Sequence, residues 1–61
     1  MLYWTPDTIA IEAKRQGRGV TPQYVRRLCR QGRIKASRPG RDWIIEDKEA
    51  HRWIAEWTKN Q

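Results

Sequence analysis

The sequence predicts a small α+β domain built from a pair of helices, a β-hairpin and a final helix. Three observations carry this. The dipeptide Thr-Pro occurs twice, at Thr5-Pro6 and Thr21-Pro22, each time followed by a stretch closed by glycine. Ile34/Ala36 and Trp43/Ile45 alternate on either side of Pro39-Gly40. Ala50, Trp53, Ile54 and Trp57 then form an apolar stripe at helical spacing. A chain of 61 residues holds one domain spanning 1–61. At this size about 60% of the unfolded surface is buried, so the core must be built economically. Four Trp and two Tyr with no Phe place the apolar area in a few large side chains.

The elements follow in order. Leu2-Tyr3-Trp4 is a short apolar lead-in. Thr5-Pro6-Asp7 combines a hydroxyl N-cap, Pro at the first helical position and an acid in the first turn, which predicts a helix over 6–16. Ile9, Ala10, Ala13 and Gln16 share one side of it, with Ile9 and Ala13 directed to the core, while spacing alone does not place Ile11. Gly17-Arg18-Gly19 ends the helix, and Val20 is a candidate buried turn residue. Thr21-Pro22 starts a second helix that Gly32 closes. Two helices joined by a short Gly-containing turn match a helix-turn-helix. The alternating segments around Pro39-Gly40-Arg41-Asp42 read as a two-stranded β-hairpin shaped like a wing, with Arg38 and Arg41 at its tip. Glu46-Asp47 opens a last helix over about 47–58, and the tail Lys59-Asn60-Gln61 is expected to fray. The full reading is a small winged helix: helix-turn-helix, hairpin wing and C-terminal helix.

Charge gives the functional direction. The chain has 13 Lys and Arg against 7 Asp and Glu, net +6. Residues 14–41 hold ten of the basic residues and no acid, a block of +10; the other residues, three basic and seven acidic, sum to −4. Nine of the basic residues are Arg, the side chain suited to forked contacts with phosphate and guanine. So segregated a field attracts a polyanion. In the second helix, Gln23, Arg26, Arg27 and Arg30 fall within a sector of about 100°, opposite Val25, Leu28 and Cys29. Tyr24 and Gln31 flank that sector. A helix about 10–12 Å across fits the DNA major groove, where Arg pairs with guanine and Gln with adenine. Thr21 serves as N-cap and is a candidate phosphate contact together with the helix N-terminus. About six phosphate contacts are expected, for a salt-dependence slope near −5. Lys14 and Arg15 are explained by the helix dipole as well as by DNA, and Arg33 and Lys35 either guard a strand edge or meet phosphate.

Other chemistries find little footing. One Cys, Cys29, excludes an internal disulfide, and one Cys with one His, His51, assembles no structural zinc site. With His51 as the single base candidate there is no convincing nucleophile–base pair, and Asp47/Glu49 do not share a helix face. No enzymatic activity, metal, cofactor or small-molecule ligand is expected. Cys29 is read as core filler. No apolar run of signal-peptide length lies near the N-terminus, and none approaches the roughly 20 residues of a membrane span, so a reducing cytoplasm is the expected compartment. Trp53 and Trp57 are read as core, with partner contact by an exposed Trp or Ile11 as the alternative.

The run Thr21-Pro22-Gln23-Tyr24-Val25-Arg26-Arg27-Leu28-Cys29-Arg30-Gln31-Gly32-Arg33-Ile34 resembles the recognition-helix segment of small phage excisionases, a pattern shared with MerR-like winged helices. Gly40-Arg41-Asp42-Trp43-Ile44-Ile45, the following Ala50 and Trp53-Ile54, and the opening Tyr3-Trp4-Thr5 continue the resemblance over roughly 3–57. Excisionases are recombination directionality factors. The resemblance implies binding and bending of double-stranded attachment-site DNA, cooperative self-association on it, and recruitment of integrase toward prophage excision, in a bacterial host cell. It places base reading on Gln23, Arg27 and Arg30, phosphate contact on Arg26, and minor-groove entry on Arg38 and Arg41. Family members often carry a short residue where this chain has Tyr24, whose ring either contacts DNA or limits how deeply the helix sits. The alternatives are a MerR-like regulator, a terminase small-subunit DNA-binding domain, a protein-interaction module that recruits a recombinase or polymerase, and a small RNA binder.

Overall fold

A computed structural model describes residues 3–59; Leu2 of the lead-in and Asn60-Gln61 of the tail lie outside the described residues. In order they form β1 (Tyr3–Trp4), α1 (Pro6–Arg15), α2 (Pro22–Arg30), β2 (Ala36–Ser37), β3 (Ile44–Glu46) and α3 (Asp47–Lys59). The architecture is α+β: three helices and a three-stranded antiparallel sheet of order β1-β3-β2.

The two Thr-Pro starts are built alike. Thr5 caps α1, its hydroxyl accepting the Thr8 N–H at 3.3 Å while the Thr8 hydroxyl accepts the Thr5 N–H at 2.8 Å, which closes a capping box. Thr21 caps α2 by accepting the Tyr24 N–H at 3.2 Å. The two ends match as well. Gly17 (φ 108°) and Gly32 (φ 80°) take the left-handed conformation that glycine adopts without steric cost. Behind them Arg18 N–H donates to Ala13 C=O at 3.1 Å, and Arg33 N–H to Leu28 C=O at 3.0 Å. Gly17 and Gly32 donate one residue inside those bonds, to Lys14 and Cys29, so both helices end in Schellman motifs. Gln16, expected as the last helical residue, is instead the C-cap and is exposed.

The sheet departs from the expected two-stranded hairpin. β1, read as a lead-in, pairs with β3 through Tyr3↔Glu46 and Trp4↔Ile45. The β2–β3 ladder is short, Ala36↔Ile45 and Ser37↔Ile44, and Ile34 and Trp43 lie outside it. Residues 38–43, which include Pro39 and Gly40, form the turn and interrupt the pairing. The alternation nevertheless tracks burial: Ile34 and Ile45 are buried, and Ala36 and Trp43 pack half-buried against the core.

The core gathers Ile9, Val25, Leu28, Cys29, Ile34, Ile45, Ala50, Trp53 and Ile54, with Trp4, Val20, Trp43 and Trp57 packed around it. Ile11 is 62% exposed. Asp47 joins β1 to α3 by accepting the Trp4 indole N–H at 2.7 Å, and that bond holds its carboxyl below the usual range. Glu49 ties α3 to the segment before β2, accepting the Lys35 N–H at 2.9 Å and both Nε and Nη2 of Arg52. The bond from Arg52, helped by that from Lys35, lowers the Glu49 carboxyl to about 2. No helix among the described residues is long and apolar enough to cross a membrane.

Candidate nucleic-acid interface

Helix α2 sorts its residues by angle. Val25, Leu28 and Cys29 face the core. Burial pushes the Cys29 thiol up to about 11, and the Asp42 charge adds to this, so it stays protonated and apolar at neutral pH. Gln23, Arg27 and Arg30 stand exposed on the opposite side, and the side chain of none of them makes a hydrogen bond or ion pair with another described residue. Three side chains rich in donors therefore share one open helix face.

The residues on the two margins of that face are engaged differently. Arg26, expected to contact phosphate, is half-buried and lies between two carboxylates: Asp7 Oδ2 of α1 at 3.6 Å and Asp42 Oδ1 of the hairpin at 3.4 Å. Asp42 also accepts the Trp43 N–H at 2.9 Å. That bond, then the one from Arg26, holds its carboxyl below the ordinary value. The contact brings the hairpin turn alongside the Arg26 margin of α2. On the other margin Tyr24 is 40% exposed and its ring lies 5.7 Å from Trp57, tilted by 41°. Tyr24 therefore borders the open face while leaning on α3.

In the turn, Arg38 donates from Nη2 to the Arg41 carbonyl at 3.4 Å, with its guanidinium 5.6 Å from the Trp43 ring centroid. Arg41 is exposed and makes no side-chain bond among the described residues; its neighbour Asp42 pairs with Arg26 instead. Thr21 is exposed at the N-terminus of α2 with its hydroxyl occupied as a cap.

Arg18, part of the basic block, is drawn away from this face. Its guanidinium sits 3.7 Å from the Trp57 ring centroid and donates to the Trp57 carbonyl at 2.9 Å, while the Trp57 indole donates to the Arg18 carbonyl at 3.1 Å. Trp57 in turn stacks on Trp53, centroids 5.3 Å apart and planes 13° from parallel. This braces the α1–α2 turn against α3; Trp53 is buried in the core as expected, while Trp57 is half-buried at its edge. Sequence reasoning missed the Asp7–Arg26–Asp42 bridge and the Arg18–Trp57 brace, because their partners are far apart in the chain and carry no spacing signal.

Among the described residues no group of three or more His, Cys, Asp or Glu side chains gathers to hold a metal ion. The arrangement offers a convex donor-rich helix face with a basic turn beside it, a shape and charge suited to a grooved polyanion. No known protein family, curated protein or solved structure matches the chain.

Proposed function

We propose that this chain is a winged-helix protein that binds double-stranded DNA, with α2 as recognition helix in the major groove and the β2–β3 hairpin as a wing in the minor groove. The observation that carries the reading is the open face of α2. The side chains of Gln23, Arg27 and Arg30 have no partner among the described residues, and the Arg38–Arg41 turn, tied to the same helix through Arg26 and Asp42, belongs to the acid-free block 14–41. An unneutralised cluster of Arg repels itself and is stabilised by an anionic partner. Within DNA binding we infer an excisionase role, in which the protein bends attachment-site DNA, associates with neighbouring copies and recruits integrase in a bacterial cytoplasm. That role rests on the resemblance of residues 21–34 and 40–54.

Selection from a pool of randomised duplexes, followed by titration of the winning duplex, tests the DNA reading. Arg27→Ala and Arg30→Ala each weaken binding by about 5- to 150-fold and relax base choice at one position, as loss of a bidentate base contact costs about 1–3 kcal/mol. Unchanged affinity and base choice in both variants refutes the assignment of α2. For the excision role, the protein is added to integrase with a DNA carrying paired attachment sites; excision that does not depend on the protein refutes it.

A further inference from the structure

We propose that Asp42 is a positioning residue for DNA binding: acting through Arg26, it holds the wing against the recognition helix. This rests on the DNA-binding reading above and deepens it. One guanidinium spans three elements, from Asp7 in the first turn of α1, through Arg26 on α2, to Asp42 at the end of the hairpin turn. Apart from the Arg38 contacts with the Arg41 carbonyl and the Trp43 ring, the turn has little else to orient it. Ser37, Arg38, Pro39, Gly40 and Arg41 are all exposed, and the ladder beneath them pairs only Ser37↔Ile44 and Ala36↔Ile45. Trp43 and Asp42 are its half-buried anchors, and Asp42 serves twice, accepting the Trp43 N–H at 2.9 Å and facing Arg26 Nε at 3.4 Å. The depressed Asp42 carboxyl agrees with both bonds.

The sign of the effect makes the idea testable. Asp42 is the first acid after the basic block and the direct neighbour of Arg41. As a bare charge near a phosphate backbone it opposes binding, so its removal strengthens association. As a positioning residue it supports binding, so its removal weakens association, because Arg38 and Arg41 are no longer held where they meet the duplex.

The experiment titrates the selected duplex with wild type, Asp42→Asn, Arg26→Gln and the double variant, each checked for an unchanged urea midpoint within error of a surface substitution. Asparagine preserves the size of the side chain and its acceptor for the Trp43 N–H. The bridge predicts that Asp42→Asn weakens binding about two- to fivefold, as expected for losing one partly exposed ion pair that orders a loop. In the Arg26→Gln background the same substitution gives no further loss, since the residue it acts through is gone. Equal or tighter binding by Asp42→Asn, or an equal loss in both backgrounds, overturns the positioning role while leaving DNA binding in place. Absence of salt-dependent duplex binding by the wild type overturns the DNA-binding reading itself, and the role of Asp42 with it.

Discussion

Salt dependence separates the side chains that meet DNA from those that only belong to the basic block. Each phosphate neutralised by a cationic side chain contributes about 0.9 to the slope of log K against log salt. Counting from sequence, about six contacts predict a slope near −5. The structure holds two Arg residues of the basic block within the fold. Arg26 is placed between Asp7 and Asp42, and Arg18 is bonded to the Trp57 carbonyl and stacked on its ring. Arg27, Arg30, Arg38 and Arg41 remain on the face formed by α2 and the turn. Counting each of these four guanidiniums as one charge that releases a counterion, whether it reads a base or meets a phosphate, gives a slope of about −3.6, or about a 150-fold loss of affinity between 50 and 200 mM salt. Fluorescence anisotropy of a labelled duplex, titrated at several salt concentrations, measures this directly. Arg41→Ala reduces the steepness by about 1. Arg18→Met, which keeps apolar contact with Trp57, leaves the slope unchanged although it also removes a positive charge. A flat response refutes the electrostatic basis of binding. A slope of −5 in which Arg18→Met costs as much as Arg41→Ala refutes the structural sorting.

Two further predictions concern stability. Ile45 is fully buried on the central strand, and truncating such a residue costs about 2–5 kcal/mol. A domain of 61 residues is stable by only about 3–9 kcal/mol. Ile45→Ala therefore shifts the urea midpoint down sharply or leaves the chain largely unfolded by circular dichroism, whereas Ile11→Ala, at a position 62% exposed, changes stability by less than about 0.5 kcal/mol. A similar loss at both sites refutes the assigned core. Glu49 titrates at about 2 in the fold against an ordinary 4.5, so its bonds to Arg52 and Lys35 add stability above pH 4.5 that fades as pH falls toward 2. The difference in urea midpoint between wild type and Glu49→Gln should shrink over that window, and a difference independent of pH refutes the role of the charge.

The helices were legible in the sequence because their signals are local. A Thr hydroxyl, a Pro with fixed φ and a Gly able to reach positive φ each act within a few residues of where they stand, and both α1 and α2 begin and end where these residues occur. The opposition of Val25, Leu28 and Cys29 to Gln23, Arg27 and Arg30 is likewise a matter of helical period. β1 was not legible, since two residues carry no periodicity and Tyr3–Trp4 becomes a strand only by pairing with β3. Nor was the division of labour among the arginines. Composition and period treat Arg18, Arg26 and Arg30 alike. Their partners are Trp57 for Arg18, Asp7 and Asp42 for Arg26, and no described residue for Arg30. The sequence by itself thus determined the helices, the apolar faces and the basic block. Tertiary structure alone decided which of those charges are held within the fold and which stay open to a partner, because an ion pair or a stacked ring depends on distances that form only when separate segments pack.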